Sequence, residues 1–179
     1  MLSFQRMKRM FKLIPLVKKG KPLDPLDPLD PTTPSAPFTQ PQVSGAPGWV
    51  FLTHTNTGVA QAFFTDPRGQ TAEEISVVMD ERVCCDTIFR VVRLSPKVFV
   101  IYDILVLNGK MLFETTNYET RRQKILEILE LFHFPDLCAF LPPTQLPVGV
   151  HIRGYEQHDS TPGSLGVFVE NIPTEVVNA

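Results

Sequence analysis

The chain has 179 residues, of which 43% are hydrophobic and 20% are charged, and its formal net charge is −2. This balance is typical of a soluble globular protein with one sizeable core, and the length excludes two large domains. No apolar run reaches the ~20 residues of a membrane-spanning helix, so no transmembrane segment is expected. The three cysteines and four histidines show no metal-binding spacing, and we expect no metal and no cofactor.

Residues 1–21 form a basic segment without a single acid, whereas the rest of the chain has ten basic and nineteen acidic residues. Its apolar residues can share one face of a helix that ends at Pro15. The pattern is typical of a mitochondrial presequence, and equally of a basic arm on nucleic acid or a membrane surface. A cationic tail without a partner is a further alternative. We expect the arm to contain no core residue and to contact RNA through Arg6, Lys8, Arg9, Lys12, Lys18, Lys19 and Lys21.

Residues 22–47 are predicted to be a Pro-rich linker. The repeat PLDPLDPLDP places a proline at every third position, which favours polyproline II with three residues per turn. Such a segment serves as a stiff spacer, or its leucine edge docks in an aromatic groove.

The folded domain is predicted to cover residues 48–179. Strands are expected in GWVFLTHT, VAQAFFTDPRG, ISVVMDERVC, TIFRVVRL, KVFVIYDILVL, VGVHIRGYE and LGVFVENI, with a tight turn at Asn108-Gly109. The apolar spacing predicts one main helix over 119–133 with Asn117 as its N-cap. The expected class is therefore α+β with a largely antiparallel sheet.

The stretch FVIYDILVLNGKML followed by RRQKILEIL resembles the nucleotidyltransferase core of DNA and RNA ligases and mRNA capping guanylyltransferases. The resemblance implies this core as the fold, preceded here by an extended basic and Pro-rich arm. In that family a lysine before a glycine turn attacks the nucleotide, and the matching stretch here is HTNTGVAQAFF. Thr55 occupies the lysine position, Thr57 the following acid position, and Gly58 the glycine. SLGVFVE matches a later strand of the family and supplies Gly166.

The resemblance further implies a degenerate nucleotide pocket formed by Thr55, Thr57, Gly58, Gly166 and the pair Tyr102 and Asp103. In the family the acid helps to organise the pocket beside an aromatic residue that stacks on the purine. Alternatively, Asp103 accepts hydrogen bonds from backbone or from Arg121 or Arg122. A threonine hydroxyl without an adjacent base is a weak nucleophile, so we expect no catalytic residue.

The resulting expectation is a non-catalytic nucleotidyltransferase-like domain that acts as a structural, RNA-binding subunit of a large particle, such as a mitochondrial ribonucleoprotein. The alternatives are a capsid or virion component, a nucleotide- or cap-binding protein, and a residual ligase or capping-type enzyme. We expect a mitochondrial location, with the nucleus, the cytoplasm and the virion as alternatives.

Overall fold

The computed structural model describes residues 3–20, 38–55, 57–77, 82, 85–130 and 137–170. The helices in these residues are α1 (Ser3–Met10) and α2 (Tyr118–Leu129). The strands are β1 (Val17–Lys19), β2 (Phe38–Val43), β3 (Ala46–His54), β4 (Ala60–Thr65), β5 (Ala72–Ile75), β6 (Thr87–Ser95), β7 (Val98–Leu107), β8 (Lys110–Met111), β9 (Ala139–Leu141), β10 (Ile152–His158) and β11 (Gly166–Glu170).

The strands form two sheets. The larger sheet has the order β5-β4-β3-β6-β7-β8, and β9 also pairs with β7 in parallel. The smaller sheet has the order β1-β11-β10-β2, in which β1 runs parallel to β11 and the other pairs are antiparallel. The expected α+β class with largely antiparallel pairing is therefore confirmed, with two sheets in place of one.

The strand β7 coincides with the strand predicted in KVFVIYDILVL and is buried on both faces, including at Asp103. One face packs against α2 in a core cluster that includes Phe99, Ile104, Ile125 and Ile128, with Leu129 half-buried at its margin. Residues 131–133, the last part of the predicted helix 119–133, lie outside the described residues.

Local signals for the ends of β7 and α2 also hold. The Asn117 side chain caps α2 by accepting a hydrogen bond from the Thr120 amide at 2.9 Å. Asn108 and Gly109 both adopt positive φ, and Leu107 pairs with Lys110, as a two-residue hairpin turn requires. The predicted turn and cap are thus confirmed.

The N-terminal segment packs on the domain and is not an extended arm. Met7, Phe11 and Leu16 are buried in a core cluster together with Trp49 and other residues of the larger sheet. The expectation that residues 1–21 contain no core residue is wrong, because the apolar face of α1 packs against an apolar face of the larger sheet.

The predicted linker also contains sheet structure. Phe38–Val43 form β2, and β3 begins at Ala46, so both start before residue 48. Pro41 is compatible with β2 because this strand lies at the sheet edge, where a missing amide donor costs little. Residues 21–37, with the PLD repeat, lie outside the described residues.

Candidate functional site

A cleft with a volume of about 1010 Å³ opens between the two sheets. The larger sheet contributes Pro47, Trp49 and Val92, and the loop before β1 contributes Leu13 and Leu16. The smaller sheet contributes residues of all four strands, namely Val17, Lys18, Lys19, Gln42, Val43, Arg153, Phe168 and Glu170. The cleft therefore combines apolar walls with charged side chains.

The charge of the cleft is positive. Lys18 and Lys19 lie on β1, Arg68 lies in the turn after β4, and Arg153 lies on β10; all four are exposed. Within the described part of the chain, none of these four side chains forms an ion pair. Among the lining residues the one acid is Glu170, which is exposed. An anionic ligand would therefore find positive charge on several sides of this cleft.

Two aromatic residues position basic residues of the cleft, Phe168 by a direct contact with Arg153 and Trp49 by a hydrogen bond to the turn that contains Arg68. The Arg153 guanidinium carbon lies 4.5 Å from the centre of the Phe168 ring, which is a cation–π geometry. The Trp49 indole donates a hydrogen bond to the Pro67 carbonyl at 2.9 Å, and this contact fixes the turn that carries Arg68. Arg153 is thus held by a direct aromatic contact and Arg68 by its position in a fixed turn, and both residues are exposed.

Beneath the cleft lies a buried polar network. Arg90 makes two hydrogen bonds to Glu156, at 2.5 and 2.9 Å, and Glu156 also contacts Gln42 at 2.6 Å and His158 at 3.0 Å. Burial alone raises the pKa of Glu156, but the charge of Arg90 and the hydrogen bonds from His158 and Arg90 outweigh it, so the pKa falls to about 2. Glu156 is therefore ionised and neutralises Arg90, which leaves the rim cations to define the charge of the cleft.

The position predicted for a nucleophile is a hairpin turn at the far end of β3. The hydroxyl oxygens of Thr55 and Thr57 are 2.9 Å apart, and the Val59 amide donates to Thr55 Oγ1 at 3.0 Å. The contacts of Thr55 Oγ1 are thus a second hydroxyl and a backbone amide. Gly58 has a φ of 84° and open space around it. From Trp49 to Thr55 the strand rises about 20 Å, so this turn lies well away from the cleft.

The other predicted pocket residues are used inside the fold. The Tyr102 hydroxyl donates to the Pro41 carbonyl at 2.8 Å and accepts from the Val43 amide at 3.0 Å. Burial raises the pKa of Tyr102, so the phenol stays neutral. The structure does not bring Tyr102 into contact with the turn at Thr55.

Asp103 and Gly166 also have structural partners. Arg121 Nε donates to Asp103 Oδ1 at 2.7 Å, and both side chains are buried. The expectation that Asp103 accepts a hydrogen bond from an arginine of the following helix is confirmed. Gly166 packs under the ring of His158, where an added Cβ would lie 2.3 Å from a ring carbon.

The basic residues of the N-terminal segment have different environments. Arg6 pairs with Asp86 at 2.7 Å, and Lys8 donates to the Gly69 carbonyl at 2.5 Å. Arg9 and Lys12 are exposed, and Lys21 lies outside the described residues. Lys18 and Lys19 are thus the two predicted nucleic-acid ligands that reach the cleft.

Sequence reasoning missed Arg68 and Arg153 as partners of Lys18 and Lys19. These residues are far apart along the chain. The pairing of β1 and β10 with β11 brings Lys18, Lys19 and Arg153 together, and Arg68 lines the same cleft from the turn after β4 of the larger sheet. The sequence holds a local signal for Arg68 alone, because Asp-Pro-Arg-Gly at the end of VAQAFFTDPRG is a typical turn sequence.

No family model matches the chain, and no curated protein matches it. Among the described residues, no group of three or more histidine, cysteine, aspartate or glutamate side chains is arranged to hold a metal ion. In the same residues no helix is long and apolar enough to cross a membrane.

Proposed function

We propose that this protein is a non-catalytic, nucleotidyltransferase-like domain that binds RNA as a subunit of a large assembly, such as a mitochondrial ribonucleoprotein. The observation that carries the proposal is that one cleft is lined by four basic residues, none of which forms an ion pair among the described residues: Lys18, Lys19, Arg68 and Arg153. Phosphate contacts from lysine and arginine supply most of the affinity of a sequence-independent RNA-binding surface.

The absence of covalent chemistry in this proposal is supported by the turn at Thr55. Its hydroxyl bonds to another hydroxyl and to a backbone amide, and neither can remove its proton. The ligase-like core remains a proposal based on the sequence of β7 and α2. Asp103, which the resemblance assigns to the pocket, is neutralised by Arg121 inside the fold.

The architecture of the N-terminal segment supports a role in assembly. Met7 on α1 and Phe11 just after it are buried in the core, so the exposed Arg9 on the helix and Lys12 in the segment that follows are held on the domain. The protein therefore offers ordered basic groups outside the cleft as well, and these would contact RNA or a neighbouring subunit of the particle.

The test is a salt titration of RNA binding. Fluorescence anisotropy with a labelled single-stranded RNA should give an affinity that falls steeply with salt, because phosphate binding releases counterions. The double variant Lys18→Glu, Lys19→Glu should bind at least about tenfold more weakly. Loss of two phosphate contacts should also make the negative slope of log K against log salt shallower by about 1.4. Lys110→Glu is the control for charge reversal outside the cleft, since Lys110 is exposed on β8. It reverses one charge against two in the double variant, so the effects are compared per reversed lysine.

An unchanged affinity in the double variant, or no binding at low salt, would contradict the proposal. The identity of the assembly requires native material. Copurification with ribosomal RNA and ribosomal proteins supports a mitochondrial ribonucleoprotein, whereas copurification with capsid proteins supports a virion component.

A further inference from the structure

The arrangement of Arg153, Phe168 and the two lysines of β1 points to a particular kind of RNA ligand. We propose that the cleft binds unpaired nucleotides, with a base on the Arg153–Phe168 stack and phosphates on Lys18 and Lys19. This inference rests on the proposed RNA binding and adds the structural state of the RNA and the subsite for the base.

The shape of the cleft favours an unpaired strand over a duplex. Its volume of about 1010 Å³ is at the upper end of the ~300–1,000 Å³ typical of ligand clefts. In a duplex the bases are stacked inside the helix, so only a splayed nucleotide can place its base between protein walls. The apolar walls formed by Leu13, Val17 and Val92 suit a base better than a phosphate.

The composition of the cleft favours RNA over an acidic peptide. A guanidinium lying over an aromatic ring presents a planar, cationic surface, and nucleobases stack on such surfaces regardless of their sequence. Carboxylates would pair with the N–H edge of the guanidinium and with the lysines, and would leave the flat face of Arg153 unused. An acidic peptide is therefore the alternative ligand that the experiment must separate.

The chain carries its own reporter at this site. Trp49 is the single tryptophan of the sequence, and it lines the cleft. Its indole is hydrogen-bonded to the turn of Arg68. A ligand that enters the cleft should change the emission of Trp49, whereas RNA bound at Arg9 and Lys12 only should leave it nearly constant.

The experiment titrates the full chain with a single-stranded oligoribonucleotide, with the duplex of the same sequence, and with polyglutamate. Anisotropy of labelled RNA and emission of Trp49 are recorded together. We expect single-stranded RNA to bind and to change the Trp49 emission, and we expect duplex RNA and polyglutamate to leave the emission nearly unchanged.

The substitution Arg153→Lys distinguishes the contribution of base stacking to RNA affinity from the contribution of positive charge. This variant keeps the positive charge, so its salt slope should equal that of the wild type, but loss of base stacking should weaken single-stranded binding about tenfold. Lys110→Glu is again the control, and an unchanged melting temperature shows that Arg153→Lys, at an exposed position, leaves the fold intact.

The outcomes distinguish this inference from the proposed function. Equal binding of single-stranded and duplex RNA with constant Trp49 emission would overturn the cleft site while RNA binding stands. An identical emission change with polyglutamate, or full affinity in Arg153→Lys, would overturn the base subsite. No RNA binding by either readout would overturn the proposed function itself.

Discussion

Arg90 on β6 and Glu156 on β10 form a two-pronged ion pair that joins the two sheets. The two N–O distances are 2.5 and 2.9 Å, and the Glu156 side chain is fully buried. The Arg90 guanidinium also lies 5.4 Å from the centre of the Tyr102 ring. Because the cleft opens between these sheets, the pair fixes the separation of its walls.

Replacing Glu156 with glutamine should destabilise the fold by about 3–5 kcal/mol, because it leaves the Arg90 charge buried and unpaired. Urea unfolding measures the difference. The control is Glu73→Gln, which breaks the exposed pair between Glu73 and Arg93 and should cost less than about 1 kcal/mol. Equal effects of the two substitutions would show that the Arg90–Glu156 pair does not brace the sheets.

The same carboxylate should make stability depend on acid pH. Its pKa is about 2 in the folded protein, below the ordinary value of ~4.3, so the unfolded chain binds more protons between these values. The stabilisation is fully present above about pH 4.5 and is lost as the pH falls towards 2, with a size on the order of 3 kcal/mol. Denaturation curves of the wild type and Glu156→Gln between pH 2 and 6 test this. The difference in stability between them should shrink as the pH falls, and a constant difference would contradict the assignment.

A feature of this fold can be predicted from the sequence when the residues that specify it are close together in the chain. The strand β7, the turn at Asn108-Gly109 and the Asn117 cap are specified by neighbouring residues, and all three were predicted. The partner of Asp103 was also among the alternatives predicted, because Arg121 and Arg122 lie on the next helix, and the structure selects Arg121. Pairings between strands that are distant in the sequence are not specified by any local pattern of residues.

The two missed features show this limit. The basic composition of residues 1–21 favoured an exposed arm, whereas α1 packs its apolar side chains in the core. The proline content of residues 22–47 favoured a linker, whereas part of it forms the edge strand β2. The Arg90–Glu156 pair and the cleft depend on where β10 lies relative to β6, which no local pattern specifies. Residues that build these features therefore appeared only with the sheet order.

The turn at Thr55 leads to a prediction about nucleotide chemistry. Incubation with labelled ATP or GTP and a divalent metal should leave no covalent nucleotide on the protein, because a threonine cannot form the phosphoamide that a lysine forms. Gel autoradiography after denaturation provides the measurement. An acid-labile, lysine-linked adduct at any position would refute the non-catalytic assignment.

The last prediction concerns the docking of α1. Met7 is fully buried in the core cluster that contains Phe11 and Trp49, whereas Met10 on the same helix is 57% exposed. Met7→Ala should therefore lower the unfolding free energy by about 2–5 kcal/mol, the usual cost of truncating a buried methionine. Met10→Ala makes the same chemical change at a solvent-exposed site and should stay within about 0.5 kcal/mol of the wild type.

Thermal unfolding followed by circular dichroism and by Trp49 emission gives the measurement. If α1 folds cooperatively with the sheets, both signals should shift together in Met7→Ala. Deletion of residues 1–20 should lower the melting temperature further, since it also removes Phe11, Leu16 and the strand β1. An unchanged melting temperature in the deletion variant would mean that the N-terminal segment contributes nothing to the core, and its basic residues would then act as a separate tail.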